Sequence, residues 1–201
     1  MADEKNLDTV QQYVGDMIAL EDHIEEAIDR QLSLAEDYAP ANEAVQRFHQ
    51  MVKGHREGLK AHLTSIGGSE SSPIKTAVAD LFGKAAGMVD KVRTEAVSKA
   101  IRDDYTAFNH AAIGYAMLHT TAHALGQAST ADIAARYLRD YAEAVQRINQ
   151  IVPGIVVWEL RKDGHTVDDS AEQHSVEALN TAWRDTSPST GAGVRAAAGV
   201  R

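Results

Sequence analysis

Residues 14–28 read VGDMIALEDHIEEAI, and this stretch decides the fold. Its apolar side chains recur every three or four positions, at Val14, Met17, Ile18, Ile24 and Ile28. That spacing predicts an amphipathic α-helix with one face turned to a core. Val, Ile, Thr and aromatic residues do not cluster into the alternating runs typical of strands, and alanine is abundant. The sequence therefore predicts an all-α protein.

The same periodicity predicts four long helices. They cover residues 8–34, 41–66, 93–125 and 129–152. Gly67 and Gly126 follow the second and third helices, and glycine is common just past a helix end. Ser129 and Asp132 resemble a capping box that opens the fourth helix. Pro153 is expected to stop or kink that helix, because proline lacks a backbone N–H.

Three weaker segments complete the predicted organisation. Residues 73–92 predict one or two connecting helices, 155–160 a short helical continuation and 170–184 one more short helix. Four long helices with one longer connection favour a ferritin-like four-helix bundle with a crossover segment. The predicted division is a bundle over 1–165, a short helical extension over 166–184 and a disordered tail over 185–201.

Composition excludes several functions. The 201 residues carry a formal net charge of −9, which disfavours nucleic acid and anionic membranes as partners. Cysteine is absent, so disulfides and thiolate metal sites are excluded and a reducing compartment is the simplest expectation. No run of about 18 apolar residues predicts a membrane span. We therefore expect a cytoplasmic protein.

Two carboxylates of the first helix fall on its apolar stripe. Glu21 lies in the middle of that stripe and Glu25 one turn further on. Burying a carboxylate costs several kcal/mol unless it is paired, protonated or bound to a metal. Each is therefore interpreted either as a metal ligand or general base, or as an acid bonded to Arg, Tyr or His of another helix. The bonded-acid interpretation is favoured for Glu25.

Histidines supply the other candidate ligands. His55 and His62, seven residues apart, share the apolar face of the second helix, and His119 lies on the predicted inner stripe of the third helix with His123 four residues on. Imidazoles in such positions either bind a metal or form core hydrogen bonds. The apolar stripe of the fourth helix has no carboxylate or histidine in its middle, and Asp140 lies at its edge. The full di-iron ligand set of a carboxylate bundle is therefore absent.

Three segments resemble the YciE/YciF-like group of ferritin-like bacterial proteins, over roughly residues 8–160. They are 19–24 (ALEDHI), 54–67 (GHREGLKAHLTSIG) and 113–126 (IGYAMLHTTAHALG). The resemblance implies a ferritin-like four-helix fold, often dimeric, with a candidate di-metal centre and an association with stress responses. Carried over by position, Glu21 matches the first-helix ligand and His55 the second-helix histidine.

The chain departs from that family pattern at several ligand positions. Apolar residues stand where acids or partner ligands are expected, at Val52, Phe108, Ala111 and Val145. We therefore expect no complete ferroxidase centre and no defined catalytic residue. The favoured hypothesis is a stress-associated structural or interaction protein, a homodimer with a possible further protein partner.

The alternative hypothesis is a metal-binding protein with an altered site for iron, manganese or zinc. In it Glu21 and Glu25 pair with His55, and His62 or His119 completes the shell. A third interpretation, a hemerythrin-like sensor, is prompted by seven histidines between His23 and His123, but the paired histidine–carboxylate spacings that it needs are not found. If the core histidines are buried and neutral, stability should fall as the pH drops through about 6.

Overall fold

The computed structural model describes residues 2–69 and 96–185, and within these ranges the chain forms helices and turns without a strand. The helices are α1 (Ala2–Asp29), α2 (Ala39–Ser65), α3 (Val97–Ala124), α4 (Ala128–Lys162) and α5 (Ala171–Asp185). The prediction of an all-α protein is confirmed. The connecting helices predicted for 73–92 and the tail predicted beyond residue 185 lie outside the described residues.

α2 and α3 end just before the glycines that were predicted to follow them. Gly67 has a φ of 80° and Gly126 a φ of 74°, the left-handed conformation that glycine adopts without strain. The residue after each glycine donates its N–H back into the last helical turn, from Gly68 to the carbonyl of Leu63 at 2.9 Å and from Gln127 to that of Ala122 at 2.8 Å. These bonds satisfy carbonyls that the helix leaves free.

The first helix differs from the prediction at both ends. It begins at Ala2 rather than residue 8, and acidic residues in its first turn favour a helix N-terminus there. It ends at Asp29 rather than residue 34. The chain turns after Asp29, and the Gln31 side chain donates to the buried Asp104 carboxylate at 2.8 Å. A buried carboxylate needs such a donor, which favours the early turn.

The fourth helix also differs from the prediction. It begins at Ala128, and no side chain caps it, so the capping box predicted at Ser129 does not form. It then runs through Pro153 to Lys162 instead of stopping after residue 152. Proline forfeits one backbone hydrogen bond in a helix, and Pro153 is buried, so apolar contact offsets part of that loss.

The four long helices surround one core. α1 packs against α2 and α3, and α4 packs against the same two helices, whereas α5 lies on α4. The largest fully buried side chains include Tyr115, Tyr141, Phe108, Ile28 and Leu59. Glu21 is buried among them, so the predicted ligand of α1 lies inside the core.

Candidate functional site

Glu21 is the centre of a polar cluster inside the core. Its side chain has no exposed surface. The Tyr115 hydroxyl donates a hydrogen bond to Oε1, and the Tyr141 hydroxyl donates to Oε2 at 2.6 Å. Both oxygens of the carboxyl group thus accept a hydrogen bond from a phenol. Charge-assisted hydrogen bonds of this kind offset the cost of burying the charge.

His55 lies beside this carboxylate on α2. Its Nδ1 is 3.4 Å from Glu21 Oε1, and its Nε2 is 3.0 Å from Oδ2 of Asp140. Its ring stacks on that of Tyr137, with 4.0 Å between centroids. The His55 side chain is 5% exposed and that of Asp140 37%. The imidazole therefore connects a buried carboxylate to one at the surface.

Helix periodicity brings these residues to one level of the core. Tyr137 and Tyr141 are one turn apart on α4, with Asp140 beside them. Gly58 lies one turn after His55 on α2, and a Cβ atom at Gly58 would stand 2.1 Å from the Tyr137 hydroxyl oxygen. Only glycine leaves room for that hydroxyl. We call Glu21, His55, Tyr115, Tyr137 and Tyr141 the Glu21 cluster.

Burial controls the protonation of the tyrosines. It raises the pKa of Tyr115 and of Tyr141 well above the usual value, and the adjacent Glu21 charge raises both further. The pKa of the half-buried Tyr137 is also raised, mainly by burial. Low dielectric and a nearby negative charge both disfavour a phenolate. The two buried phenols thus keep their protons and remain donors to Glu21.

The other predicted ligands of α1 and α2 have different partners. Glu25, buried, forms an ion pair with Arg56, whose Nη1 is 2.8 Å from Oε2. His62, also buried, forms a hydrogen bond of 2.8 Å to the Thr130 hydroxyl, and burial lowers its pKa. Both arrangements match the bonded interpretation of these residues.

His119 does not lie on the buried stripe of α3 where it was predicted. The buried positions run through Ile101, Asp104, Phe108, Ala111, Tyr115, Leu118 and Ala122. His119 is half-buried at the edge of this stripe, with its ring 4.6 Å from that of the exposed His123. The prediction was wrong in rotation, because Ala111 and Leu118, rather than Ala112 and His119, face the core beside Phe108 and Tyr115.

The predicted ligands do not fit a shared metal ion. Glu21 and Asp140 approach opposite nitrogens of the His55 ring, so the ring separates the two carboxylates. Both Glu21 oxygens are engaged by tyrosines. In residues 2–69 and 96–185, no three His, Asp or Glu side chains come together in a group that could hold a metal.

Sequence reasoning missed the part played by the tyrosines. Tyr115, Tyr137 and Tyr141 were read as members of apolar stripes, although each carries a hydroxyl. The available signal was the pairing of stripes: Tyr137 and Tyr141 occupy the inner stripe of α4 and Glu21 the inner stripe of α1. A buried carboxylate facing tyrosine-rich stripes has phenolic donors within reach.

A second polar group inside the core is Asp104. Its side chain is 3% exposed, and the Gln31 amide donates to its Oδ1 at 2.8 Å. Burial raises the pKa of Asp104 to about 7, and the Gln31 hydrogen bond opposes that rise. This carboxyl therefore keeps its proton to a higher pH than an exposed aspartate would, and it lies on α3 apart from the Glu21 cluster.

Together these observations define a protein that is all-helical in the described residues, with two tyrosines hydrogen-bonded to a buried glutamate in its core and a histidine beside them. The chain belongs to the family described as Domain of unknown function (DUF892), whose model matches residues 8–161. Comparison with curated proteins and with solved structures finds no match. Among the described helices, none is both long and apolar enough to cross a membrane. α5 lies beyond the matched region.

Proposed function

We propose that this protein is a ferritin-like four-helix bundle whose core holds a tyrosine–carboxylate cluster around Glu21 in place of a di-iron ferroxidase centre. It acts as a structural or interaction protein associated with stress responses, as a homodimer. One observation carries the proposal: both carboxylate oxygens of Glu21 accept tyrosine hydroxyls. A metal would have to compete with those two hydrogen bonds for the carboxylate oxygens.

The family positions that carry apolar residues here also support the proposal. The side chains in question are Val52, Phe108, Ala111 and Val145, and all are buried in the core. Apolar groups in these inward positions provide no lone pairs for a hard cation, and they bury surface that stabilises the fold. The interior is thus built for packing around one satisfied carboxylate.

The helix ends support a ferritin-like connection. α2 ends beside the start of α1, because the Gln11 amide donates to the Ile66 carbonyl at 2.8 Å. α3 begins beside the end of α4, where the Ser98 N–H donates to Glu159 at 2.9 Å. α2 therefore ends and α3 begins at opposite ends of the bundle, as in ferritin-like folds.

The alternative is a metal-binding protein in which Glu21 and His55 hold iron, manganese or zinc. The distance of 3.4 Å between Glu21 Oε1 and His55 Nδ1 is what favours it, because two ligands of one ion lie at such a separation. Metal bound between Glu21 Oε1 and His55 Nδ1 would leave the His55 Nε2 bond to Asp140 in place, but it would compete with the Tyr115 hydroxyl for Oε1. The energetic balance therefore favours the cluster without metal.

Elemental analysis by plasma mass spectrometry tests the proposal. Untagged protein is incubated separately with iron, manganese and zinc, freed of excess metal and analysed together with oxygen consumption. We expect substoichiometric metal and no oxygen uptake. Two equivalents of iron with oxygen uptake would contradict the proposal. One equivalent that is lost in both Glu21→Ala and His55→Ala, but kept in a His123→Ala control, would establish the alternative.

The proposed dimer has its own measurement. Sedimentation velocity over a range of concentrations gives the mass of the species in solution. A homodimer has twice the chain mass of 21.7 kDa. A single species at the chain mass over that range would contradict the dimer, without affecting the proposal about metal.

A further inference from the structure

The aromatic rings of the Glu21 cluster form a continuous path from the core towards the surface. The Tyr115 ring lies 5.8 Å from that of Tyr141 and 5.5 Å from that of Tyr137, measured between centroids. Tyr115 and Tyr141 are fully buried, whereas Tyr137 is only half-buried. Among these three tyrosines, Tyr137 is thus the one that reaches towards solvent, and its ring contacts that of the buried Tyr115.

The hydrogen bonds in this cluster suit the oxidation of a phenol. A phenol that loses one electron becomes a strong acid, so a buried tyrosine is oxidised readily only if a base takes its proton in the same event. Glu21 Oε1 already accepts the Tyr115 hydroxyl proton. Transfer of that proton along the bond would neutralise the buried carboxylate and leave a neutral phenoxyl group, so no new charge is created in the core.

We propose that Tyr115 is a redox-active tyrosine, which gives one electron through Tyr137 to an oxygen-centred radical at the surface while its phenolic proton passes to Glu21. The Tyr115 O–H bond breaks and an O–H bond forms on Glu21. The oxidant, of the alkylperoxyl class, takes the electron and a proton from water and becomes a hydroperoxide. The cluster thereby stores one oxidising equivalent inside the bundle, away from other reactive groups.

The assignment to Tyr115 rests on two contacts together. Tyr115 donates to Glu21, and its ring also meets that of Tyr137 edge to face, with an interplanar angle of 82°. Tyr141 also donates a hydrogen bond to Glu21, but its ring contacts those of Tyr115 and His55, which in turn contact Tyr137. The stacked His55 ring and Gly58 hold Tyr137 in place.

The experiment uses the full chain and a photogenerated ruthenium(III) polypyridyl complex as the one-electron oxidant. Electron paramagnetic resonance and transient absorption follow the radicals. We expect a neutral tyrosyl radical that outlives those of exposed tyrosines, and that forms more slowly in heavy water. The persistent signal should be lost in Tyr115→Phe and in Glu21→Gln, and retained in a Tyr105→Phe control.

Tyr137→Phe keeps the test decisive if changes at Glu21 or Tyr115 unfold the protein, because it leaves both hydrogen bonds to Glu21 intact. Phenylalanine is far harder to oxidise, so the yield of the buried radical should fall. An undiminished persistent radical in folded Tyr115→Phe, or in Tyr137→Phe, would overturn the inference. This inference does not depend on the proposed structural role, since the metal measurements and the radical measurements are independent.

Discussion

A single carboxylate sets the chemistry of this core, because Glu21 is fully buried and depends on partners from other helices. Two of them, Tyr115 and Tyr141, reach it from α3 and α4. Each hydrogen bond links α1 to another helix and orients the rings around it. The cluster therefore stabilises one particular arrangement of the helices, and not only the burial of apolar surface.

Removing one of these donors should destabilise the protein. Tyr141→Phe keeps the ring but leaves Oε2 of the buried carboxylate without its donor. We expect the free energy of unfolding to fall by about 1–3 kcal/mol. Urea denaturation at pH 7 measures it. Tyr105→Phe, which removes a hydroxyl outside the cluster, is the matched control and should change stability little. Equal effects of the two substitutions would show that the Glu21 bond contributes nothing specific.

Asp104 should make the protein less stable as the pH rises. Burial raises its pKa from 3.8 to about 7, so the folded state holds its proton more tightly than the unfolded state. The stability this contributes is fully present below pH 4 and is lost as the pH rises through 7. At about 1.4 kcal/mol per pKa unit, the loss is at most roughly 4 kcal/mol.

Asp104→Asn tests this directly. The asparagine carbonyl oxygen can still accept from Gln31, but the side chain does not ionise. Its stability relative to the parent, measured by urea denaturation, should be near zero at pH 4, rise between pH 4 and 7, and become constant above pH 7. A difference that stays flat over this range would mean that Asp104 does not titrate as a buried acid.

The periodicity of the sequence predicted the positions of some core residues and not of others. The alternative hypothesis placed Glu21 and Glu25 beside His55; Glu21 lies 3.4 Å from it, whereas Glu25 forms an ion pair with Arg56. Tyrosine was among the partners considered for Glu21, but the particular donors were not predicted, since hydrophobic periodicity treats tyrosine as apolar. The prediction for His119 was wrong, because Ala111 and Ala112 are equally apolar. The sequence therefore does not determine which of the two faces the core, and so does not fix the rotation of α3 about its axis.

The long helices show a similar contrast. Apolar periodicity located α2 and α3 closely, and glycines marked where both end. Pro153 was predicted to stop or kink the helix before a short continuation, but α4 continues through it as one helix, because its buried ring and the packing on both sides outweigh one missing hydrogen bond. Local propensity fails where tertiary packing contributes more free energy than the local penalty costs.

The contact between α2 and α4 depends on Gly58. In Gly58→Ala the new Cβ would lie 2.1 Å from the Tyr137 hydroxyl oxygen, so the ring must move off His55. We expect the overpacking to lower the free energy of unfolding by about 1–3 kcal/mol. The roughly 1 kcal/mol that alanine gains over glycine in a helix offsets part of this loss. Thermal unfolding measures the balance, and the His55 ring resonances report the lost stacking.

Gly54→Ala is the matched control for this substitution. Gly54 lies one turn earlier on α2, and nothing stands within 4 Å of a Cβ placed there. It should raise stability by up to about 1 kcal/mol, because only the helix propensity changes. If Gly58→Ala stabilised the protein as much as Gly54→Ala, Tyr137 would not be held against α2.

The folded protein should also become less stable in acid. Burial lowers the pKa of His62, so the unfolded state binds a proton more readily than the folded state. The stability that neutral His62 contributes is present above pH 6.5 and is lost as the pH falls through its lowered pKa. Over part of this range Asp104 acts in the opposite direction.

The two contributions can be separated in one background. In Asp104→Asn, chemical denaturation between pH 8 and 5 should show stability decreasing below pH 6.5, and adding His62→Gln should flatten the curve. Glutamine can still bond to the Thr130 hydroxyl but does not take up a proton. A slope that persists after His62→Gln would assign the acid sensitivity to another group.

The spacing of apolar residues was enough to establish an all-α chain, its long helices and the placement of Glu21, His55 and His62 on inward faces. Periodicity encodes these features locally, within each helix. Which polar groups meet was decided only in the tertiary structure, because contact depends on the rotation and axial position of one helix against another. A shift of one residue on α3 separates Ala111 from Ala112. Packing of the whole core selects between them.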